Sequence, residues 1–415
     1  MHIIQPPLFD FEAFIQEKSP HRLNGILEAL PAEKLLVALE KEHWTGRKGY
    51  SVRGMWAALI AGLIYQCHTI AEVVRLLNRD QDIRLICGFS KDKLPGEDAL
   101  GRFLKKLTQH PALLDEFIQN LVKKLREVLP GFGTKLVVDS TDIPAYANGH
   151  REHPADTDAR WGAKKKGNST TAKAKGERKE SEVYYWFGYK LHLVVDAFYE
   201  LPLAFILTPA NEADTTYLKP LLQKAGVDRE ELKPAVVITD KGYDSQENNT
   251  FVYQECKAVP IIPIRERKNT QLPDICNAQG TALCGCGLSM VYWGRDGNYL
   301  KYRCPDALGK AKCKFRFRCT SSSYGYVLKV PIATDIRRHP PVPRETKKWQ
   351  RLYKMRTAVE RVNSRVKGLL GLGHITLRGI LKVNMKSALS LLVMLAAAVN
   401  MAQEHRYQEL RSLVT

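Results

Sequence analysis

The sequence is short of acidic residues and has no long apolar run. It contains 44 Asp+Glu against 63 Lys+Arg among 415 residues, which gives a formal net charge of +19. The longest apolar run, residues 391–399, is much shorter than the roughly 20 residues that a membrane-spanning helix needs. It predicts a buried helix, and no membrane partner is expected. The first ten residues lack the basic and apolar segments of a signal peptide.

Several sequence motifs of common enzyme classes are also absent. The chain has no G-x4-G-K-[ST] phosphate-binding loop, no H-E-x-x-H and no G-x-S-x-G. These absences argue, in the same order, against P-loop nucleotide hydrolases, against zinc proteases with that motif and against α/β-hydrolases. The chemistry has to come from other residues.

The excess positive charge is concentrated in two segments. Residues 164–179 carry seven basic residues and one acidic residue, and residues 337–367 carry eleven Arg+Lys and two Glu. Such clusters attract polyanions, so nucleic acid is the expected partner. Lys164, Lys165 and Lys166 are predicted to contact a DNA backbone. The alternatives are a solvated flexible loop and a basic protein that binds no nucleic acid.

Hydrophobic periodicity predicts helices up to about residue 130 and a mixed α/β sheet after it. Thr69 is predicted to cap one helix, and Asp98 is predicted to cap another that would present Arg102 and Lys105 on its polar side. These helices fit a helix-turn-helix-like DNA reader or a plain bundle equally well. The predicted strands after them cover residues 136–138, 183–195, 203–207, 235–239 and 260–264.

Two aspartates follow apolar runs in the predicted sheet. Asp139 ends Leu-Val-Val, and Asp240 ends Val-Val-Ile-Thr. A buried unpaired carboxylate is costly, so each is expected at a strand end in a cleft or bound to a cation. Weaker candidates are Asp142, placed in a turn-like stretch, Asp196, facing a turn, and Asp214, interpreted as a helix N-cap.

A third carboxylate lies in the second basic segment, in a stretch predicted to be one helix. Relative to Tyr353, Arg356 lies at about −60°, Glu360 at about −20° and Lys367 at about −40° around a helix axis. An exposed i, i+4 ion pair between Arg356 and Glu360 is the alternative interpretation, but it explains two of the four residues. Two strand acids and one helix acid suit a two-cation site for phosphoryl transfer.

These motifs together resemble bacterial insertion-sequence transposases of the DDE type, in the branch with a Y-R-E-K pattern. The similarity covers about residues 50–400. It includes the full Y-x2-R-x3-E-x6-K spacing and three internal segments at residues 187–196, 208–214 and 239–245. The resemblance implies an RNase H-like fold, with Asp139, Asp240 and Glu360 as a catalytic triad that binds two Mg²⁺ or Mn²⁺ ions.

The resemblance also implies a function and partners. Water would cleave DNA at the terminal inverted repeats of the element, and the freed 3′-OH would then attack target DNA. Tyr353, Arg356 and Lys367, with Arg361 beside them, would contact double-stranded DNA in a homodimeric complex in the bacterial cytoplasm, associated with the nucleoid. The rival functions are a domesticated nuclease on the same fold and a DNA-binding regulator with an inactive site.

Five of the nine cysteines lie between residues 284 and 319. Without an export signal, reduced thiols or a metal site are more plausible than disulfides. Short strands around thiolates suit a zinc ribbon with Cys284, Cys286 and Cys304 as ligands, and Cys313 or Cys319 as the fourth. Unliganded cysteines are the alternative.

The predicted domain organisation has four parts. They are a helical DNA-binding domain at 1–130, a first catalytic part at 131–268, a β-rich insertion at 269–335, and a second catalytic part with C-terminal helices at 336–415.

Overall fold

A computed structural model describes residues 20–42, 49–165, 183–227, 232–265 and 276–411. Lys166 lies outside these residues, and for Lys165 only the backbone is described. The helices, numbered in chain order, are α1 Pro20–Ala29, α2 Glu33–Glu42, α3 Val52–Ile64, α4 Ile70–Arg79, α5 Gln81–Ile86, α6 Glu97–Leu107, α7 Pro111–Val128, α8 Asp214–Lys224, α9 Gln246–Thr250, α10 Arg316–Cys319, α11 Lys347–Lys354, α12 Thr357–Gly368 and α13 Ile380–Gln403.

The starts of the N-terminal helices follow local capping chemistry, with one exception to the prediction. Thr69 caps α4 as expected, because its hydroxyl accepts the backbone N–H of Glu72 at 3.1 Å. Asp98 does not cap α6. The helix begins two residues earlier than predicted, at Glu97, with Gly96 as its N-cap and no side-chain cap bond, so Asp98 lies in the first turn. There its charge still favours the positive end of the helix dipole.

The strands form two separate sheets, and the larger one confirms the predicted mixed α/β class. The strands are β1 Lys135–Pro144, β2 Arg160–Lys165, β3 Val183–Asp196, β4 Pro202–Pro209, β5 Val236–Thr239, β6 Val259–Ile261, β7 Val291–Asp296, β8 Tyr299–Arg303 and β9 Val327–Pro331. In the larger sheet the order is β2-β3-β1-β5-β6, with β4 paired to β3. β3 runs antiparallel to β1 and β4, whereas β5 runs parallel to β1 and β6.

One hydrophobic core joins the helices to the larger sheet. It runs from Leu23 to Leu410, and α13 lies at its centre, packed against α7, α1, α3 and β4. By length and composition α13 could span a membrane, but it is almost entirely buried inside the protein. This confirms the buried helix predicted from residues 391–399.

The smaller sheet belongs to the segment between β6 and α11. Its strands β7, β8 and β9 form an antiparallel meander. A small core separate from the main one packs against them. The β-structure expected in this part of the chain is therefore present.

Candidate active site

The sheet brings the two predicted aspartates side by side, where the parallel pairing of β1 and β5 ends. β1 and β5 are parallel neighbours, and Val138 pairs with Thr239. Asp139 is the next residue within β1, which continues to Pro144, so its prediction at a strand end was wrong, whereas Asp240 directly follows β5. The two aspartates therefore lie side by side at the edge of the sheet where β5 ends. This is the edge at which α/β proteins place their ligands.

Both aspartates are held in surroundings that favour a proton or a cation. Burial, and after it the nearby charge of Asp240, raise the pKa of Asp139 to about 7. Burial also raises the pKa of Asp240, although the backbone N–H of Gly242 donates to its Oδ1 at 2.7 Å. Two desolvated carboxylates side by side repel one another, and a bound cation would relieve that repulsion.

The stretch from Tyr353 to Lys367 is not the single helix that the sequence predicted. α11 ends at Lys354 and α12 begins at Thr357. Between them, i→i−3 bonds close the turn: the N–H of Met355 donates to Leu352, and that of Arg356 donates to Tyr353. The tighter 3₁₀-type turn interrupts the regular ladder without reversing the chain.

Arg356 nevertheless connects the helix acid to the strand acid. Its Nη1 lies 3.2 Å from Asp139 Oδ2, and its Nη2 donates to Glu360 Oε1. The guanidinium stands between the two carboxylates and supplies the positive charge that a metal ion would bring. The ion pair of the alternative interpretation exists between Arg356 and Glu360, but the same guanidinium also contacts Asp139 of β1.

Lys367 and Asp142 form a second link between α12 and β1. Their charged atoms are 2.9 Å apart. Asp142 lies inside β1, where it pairs with Lys190 of β3, so its placement in a turn was wrong. The strand continues past Asp139 because β3 pairs with it along its whole length.

Asp214 also faces this site, which the sequence interpretation missed. It is the first residue of α8, the N-cap is Ala213, and no side-chain cap bond is formed. Its carboxylate instead accepts from Ser140 Oγ at 3.1 Å and pairs with Lys190 Nζ at 3.2 Å. The local sequence pattern suggested an N-cap, whereas the partners of Asp214 are Ser140 on β1 and Lys190 on β3. The only hint in the sequence was that Asp214 lies in one of the segments carrying the resemblance.

Tyr243 is fully buried next to the carboxylates and belongs to a polar network. Its phenol is hydrogen-bonded to His192 Nδ1 at 3.2 Å, and burial raises its pKa, with further contributions from Asp214 and Asp139. His192 in turn contacts Thr208 Oγ1 at 3.2 Å. Burial lowers the pKa of His192 to about 4, so both side chains are neutral near pH 7. The network therefore holds this part of the sheet in place without adding a charge beside the carboxylates.

The other predicted DNA contacts lie at different distances from the carboxylates. Lys164 is exposed near the end of β2, and its charge partly opposes the rise in the pKa of Asp139 that burial causes. Arg361 pairs with buried Glu200, with Nη2 2.8 Å from Oε1, although about half of its side chain remains exposed. Arg102 and Lys105 are exposed on α6, as predicted.

The chemistry of the donor set suits a hard divalent cation. In the part of the chain that the structure describes, no three His, Cys, Asp or Glu side chains are arranged as a formed metal site. Asp139 and Glu360 instead share a guanidinium, a cation in place of a metal. Carboxylate oxygens are the ligands that Mg²⁺ and Mn²⁺ prefer, and the guanidinium shows that these carboxylates attract a positive charge.

Fold and site thus define a mixed α/β protein whose carboxylates cluster beneath a basic surface. A family model described as Transposase DDE domain matches residues 130–396. Another, described as Transposase domain (DUF772), matches residues 9–106. The first match covers more than half of the chain, so the protein belongs to the transposase DDE domain family and is a DDE-type transposase.

The remaining comparisons add little. No curated protein matches the chain. One similar solved structure is described as the cryo-EM structure of a piggyBac transposase synaptic complex with hairpin DNA. The match covers 97% of this chain and 78% of that chain, with 11% identity and a TM-score of 0.38. A likeness this weak supports no structural conclusion.

Proposed function

We propose that this transposase cleaves DNA at the ends of a bacterial insertion sequence and transfers the freed 3′-OH into target DNA. One observation carries the proposal: Asp139 and Asp240 lie side by side where the parallel pairing of β1 and β5 ends, and Arg356 links Asp139 to Glu360. Two acids on a sheet edge and one on a facing helix are suited to in-line displacement at phosphorus.

The strand order supports an RNase H-like fold for the catalytic part. Three antiparallel strands, β4, β3 and β1, are followed across the sheet by the parallel strands β5 and β6. The first acid lies on the central strand β1, and the second follows its parallel neighbour β5. Glu360 comes from α12, which packs against β1 and β3.

Each residue has a distinct role in this proposal. Asp139, Asp240 and Glu360 would hold two Mg²⁺ or Mn²⁺ ions, which supply charge for the attacking and leaving oxygens. Arg356 would exchange its carboxylate partners for a DNA phosphate, which its planar guanidinium can bind through two hydrogen bonds. Tyr353 contributes contact only. Its ring stacks on Trp349 with centroids 4.8 Å apart, and burial raises the pKa of its phenol, so attack by a phenolate is disfavoured.

The partners are proposed on the same grounds. Double-stranded DNA from the terminal inverted repeats and from the target would lie across the basic surface. Lys164, Lys165, Lys166, Arg361, Lys367 and, on α6, Arg102 and Lys105 would contact its backbone. We also propose a homodimer on DNA, since two element ends must be joined, and a place in the bacterial cytoplasm near the nucleoid.

A strand-transfer assay tests the function. The full-length protein and Mg²⁺ are incubated with labelled duplexes that carry the inverted repeats flanking the gene, together with supercoiled target plasmid. Cleavage at the repeat ends and covalent joining to plasmid are expected. Cleavage without joining would favour a nuclease, and binding without metal-dependent cleavage would favour a regulator.

Gly242→Ala is expected to slow cleavage by about tenfold or more while the fold survives, because small displacements of reacting groups are costly. A Cβ at Gly242 would lie 2.8 Å from Asp240 Oδ1 and 3.2 Å from Asp214 Oδ2, so both carboxylates must shift. Initial cleavage rates on denaturing gels measure the effect. Gly101→Ala is the matched control, since a Cβ there meets nothing within 4 Å. Equal rates for the two variants would contradict close packing around Asp240.

Lys367→Gln is expected to weaken DNA binding uniformly across sequences and to reduce the salt slope of binding by about one, as for the loss of one phosphate contact. Fluorescence anisotropy at several salt concentrations measures the slope. Lys329→Gln is the control, because Lys329 forms a similar ion pair, 2.7 Å from Asp296, in the insertion. An unchanged slope for Lys367→Gln would show that this lysine serves Asp142 alone.

A further inference from the structure

The segment between β6 and α11 has a core too small to hold all of its chain in place. Among the described residues, this core consists of seven buried hydrophobic side chains, Ala282, Met290, Leu300, Tyr302, Val330, Ile332 and Ile336. They support the sheet β7–β9. Residues 305–325 lie outside that sheet, contain only the four-residue helix α10, and expose many of their side chains. Cores of this size usually need a disulfide or a metal ion as reinforcement.

The cysteines converge where that reinforcement is needed. One small cavity is lined by five of them, Cys284, Cys286, Cys304, Cys313 and Cys319. The Sγ atoms of Cys284 and Cys286 are 3.0 Å apart, and those of Cys286 and Cys313 are 3.4 Å apart. All nine cysteines of the chain fall in the described part, and none forms a disulfide. Three separate stretches of chain therefore bring thiols to one place.

The local backbone presents these thiols as ligands are presented in metal-binding turns. The N–H of Gly287 donates to the carbonyl of Cys284 at 2.8 Å, and the positive φ of 77° at Gly287 turns the chain back after Cys286. The N–H of Phe315 donates to Cys313 Sγ at 3.4 Å.

We propose that Cys284, Cys286, Cys304 and Cys313 bind one structural zinc ion. Four thiolates at about 2.3 Å from zinc in a tetrahedron would lie roughly 3.8 Å apart. The pairs Cys284–Cys286 and Cys286–Cys313, at 3.0 Å and 3.4 Å, would each need to separate by less than about 1 Å. The binding thiols release their protons to solvent.

The structure also selects the fourth ligand that the sequence left open. Cys313 already contacts Cys286, whereas Cys319 is exposed at the end of α10. Cys304 follows β8 and is fixed by its N–H, which donates to the carbonyl of Tyr326 at 2.9 Å. Zinc at this place would tie residues 305–325 to the turn at Cys284–Cys286. The inference is independent of the transposition chemistry.

Metal analysis of the full-length protein, purified without chelators and dialysed, tests the proposal. About one zinc per chain is expected. Cys286→Ser and Cys304→Ser should each lower the zinc content about tenfold or more, because a thiolate ligand is lost. Cys319→Ser and the distant control Cys67→Ser should keep it. A wild-type protein without zinc overturns the site, and loss of zinc in Cys319→Ser but not in Cys304→Ser overturns the ligand set.

Limited trypsin digestion of the wild-type protein gives a second readout that needs no variant. Lys310, Lys312 and Lys314 are exposed within the irregular segment. Removal of zinc by a chelator should speed cleavage at these lysines about tenfold, since local opening exposes the chain to protease. Re-addition of zinc should restore protection. Unchanged cleavage after verified loss of zinc would contradict a structural role for the ion.

Discussion

Glu360→Gln is expected to lower strand cleavage by about 10³-fold or more while binding to the element ends largely survives. Loss of a cation ligand removes several kcal/mol of charge stabilisation from the reaction, and each 1.36 kcal/mol is a factor of ten in rate. Asp139→Asn should have the same effect, because both carboxylates serve one site. Cleavage on denaturing gels and binding by anisotropy, measured on the same duplex with Mg²⁺, separate chemistry from affinity.

Glu255→Gln is the matched control for that experiment. Glu255 and Glu360 are similarly exposed, and each pairs with a basic side chain, which for Glu255 is Lys219 at 3.2 Å. The same chemical change at Glu255 should leave cleavage unchanged. Retained cleavage in Glu360→Gln would remove Glu360 from the catalytic triad, and an equal loss of binding would assign it to DNA contact instead.

Asp139→Asn is expected to stabilise the metal-free protein at pH 8 by up to about 4 kcal/mol, from a shift of about three pKa units at 1.36 kcal/mol each. Burial raises the folded-state pKa of Asp139 to about 7, above the ordinary value of about 3.9. Folding therefore takes up a proton between those values. The contribution of Asp139 is present below about pH 4 and is lost as the pH rises to about 7. Thermal unfolding midpoints at pH 4 and pH 8, without divalent cations, measure it.

Saturating Mg²⁺ should reverse the order of the two proteins at pH 8, because the cation stabilises the wild-type carboxylate and binds the amide less well. Asp115→Asn is the control. Asp115 is partly exposed and lies 2.8 Å from Lys224, so its loss should cost at most about 1 kcal/mol. A metal-free Asp139→Asn protein that unfolds below the wild type at pH 8 would show that the link to Arg356 outweighs the burial of the carboxylate.

The sequence could indicate the strand acids because their signal is local. An apolar run that ends in a carboxylate, as at Asp139 and Asp240, is visible without knowledge of the fold. The parallel pairing that sets them side by side joins residues about a hundred positions apart, which periodicity cannot reveal. The same limit explains Asp214, whose local setting suggests a cap and whose partners, Ser140 and Lys190, lie on β1 and β3.

Helix continuity was overestimated for a different reason. No Gly or Pro marks the turn at Met355 and Arg356, so the sequence offers no break between α11 and α12. Long-range contacts act there instead, because Arg356 reaches Asp139 and Trp349 is buried in the main core. Of the four residues predicted to share one helical face, Arg356 contacts Glu360, and Lys367 contacts Asp142 of β1. Tyr353 belongs to the preceding helix α11, so the four do not lie on one continuous helix.

The central position of α13 has a consequence for how the chain reaches its native state. The helices α1, α3 and α7 all pack on α13, a segment that is synthesised well after them. Roughly 250 residues separate α7 from α13, which at about 5–20 residues per second corresponds to roughly 12–50 s of synthesis. During that time the apolar faces of the first helices lack their native cover. The helices α1, α3 and α7 thus complete their native packing only once α13 has been synthesised, although they leave the ribosome before it.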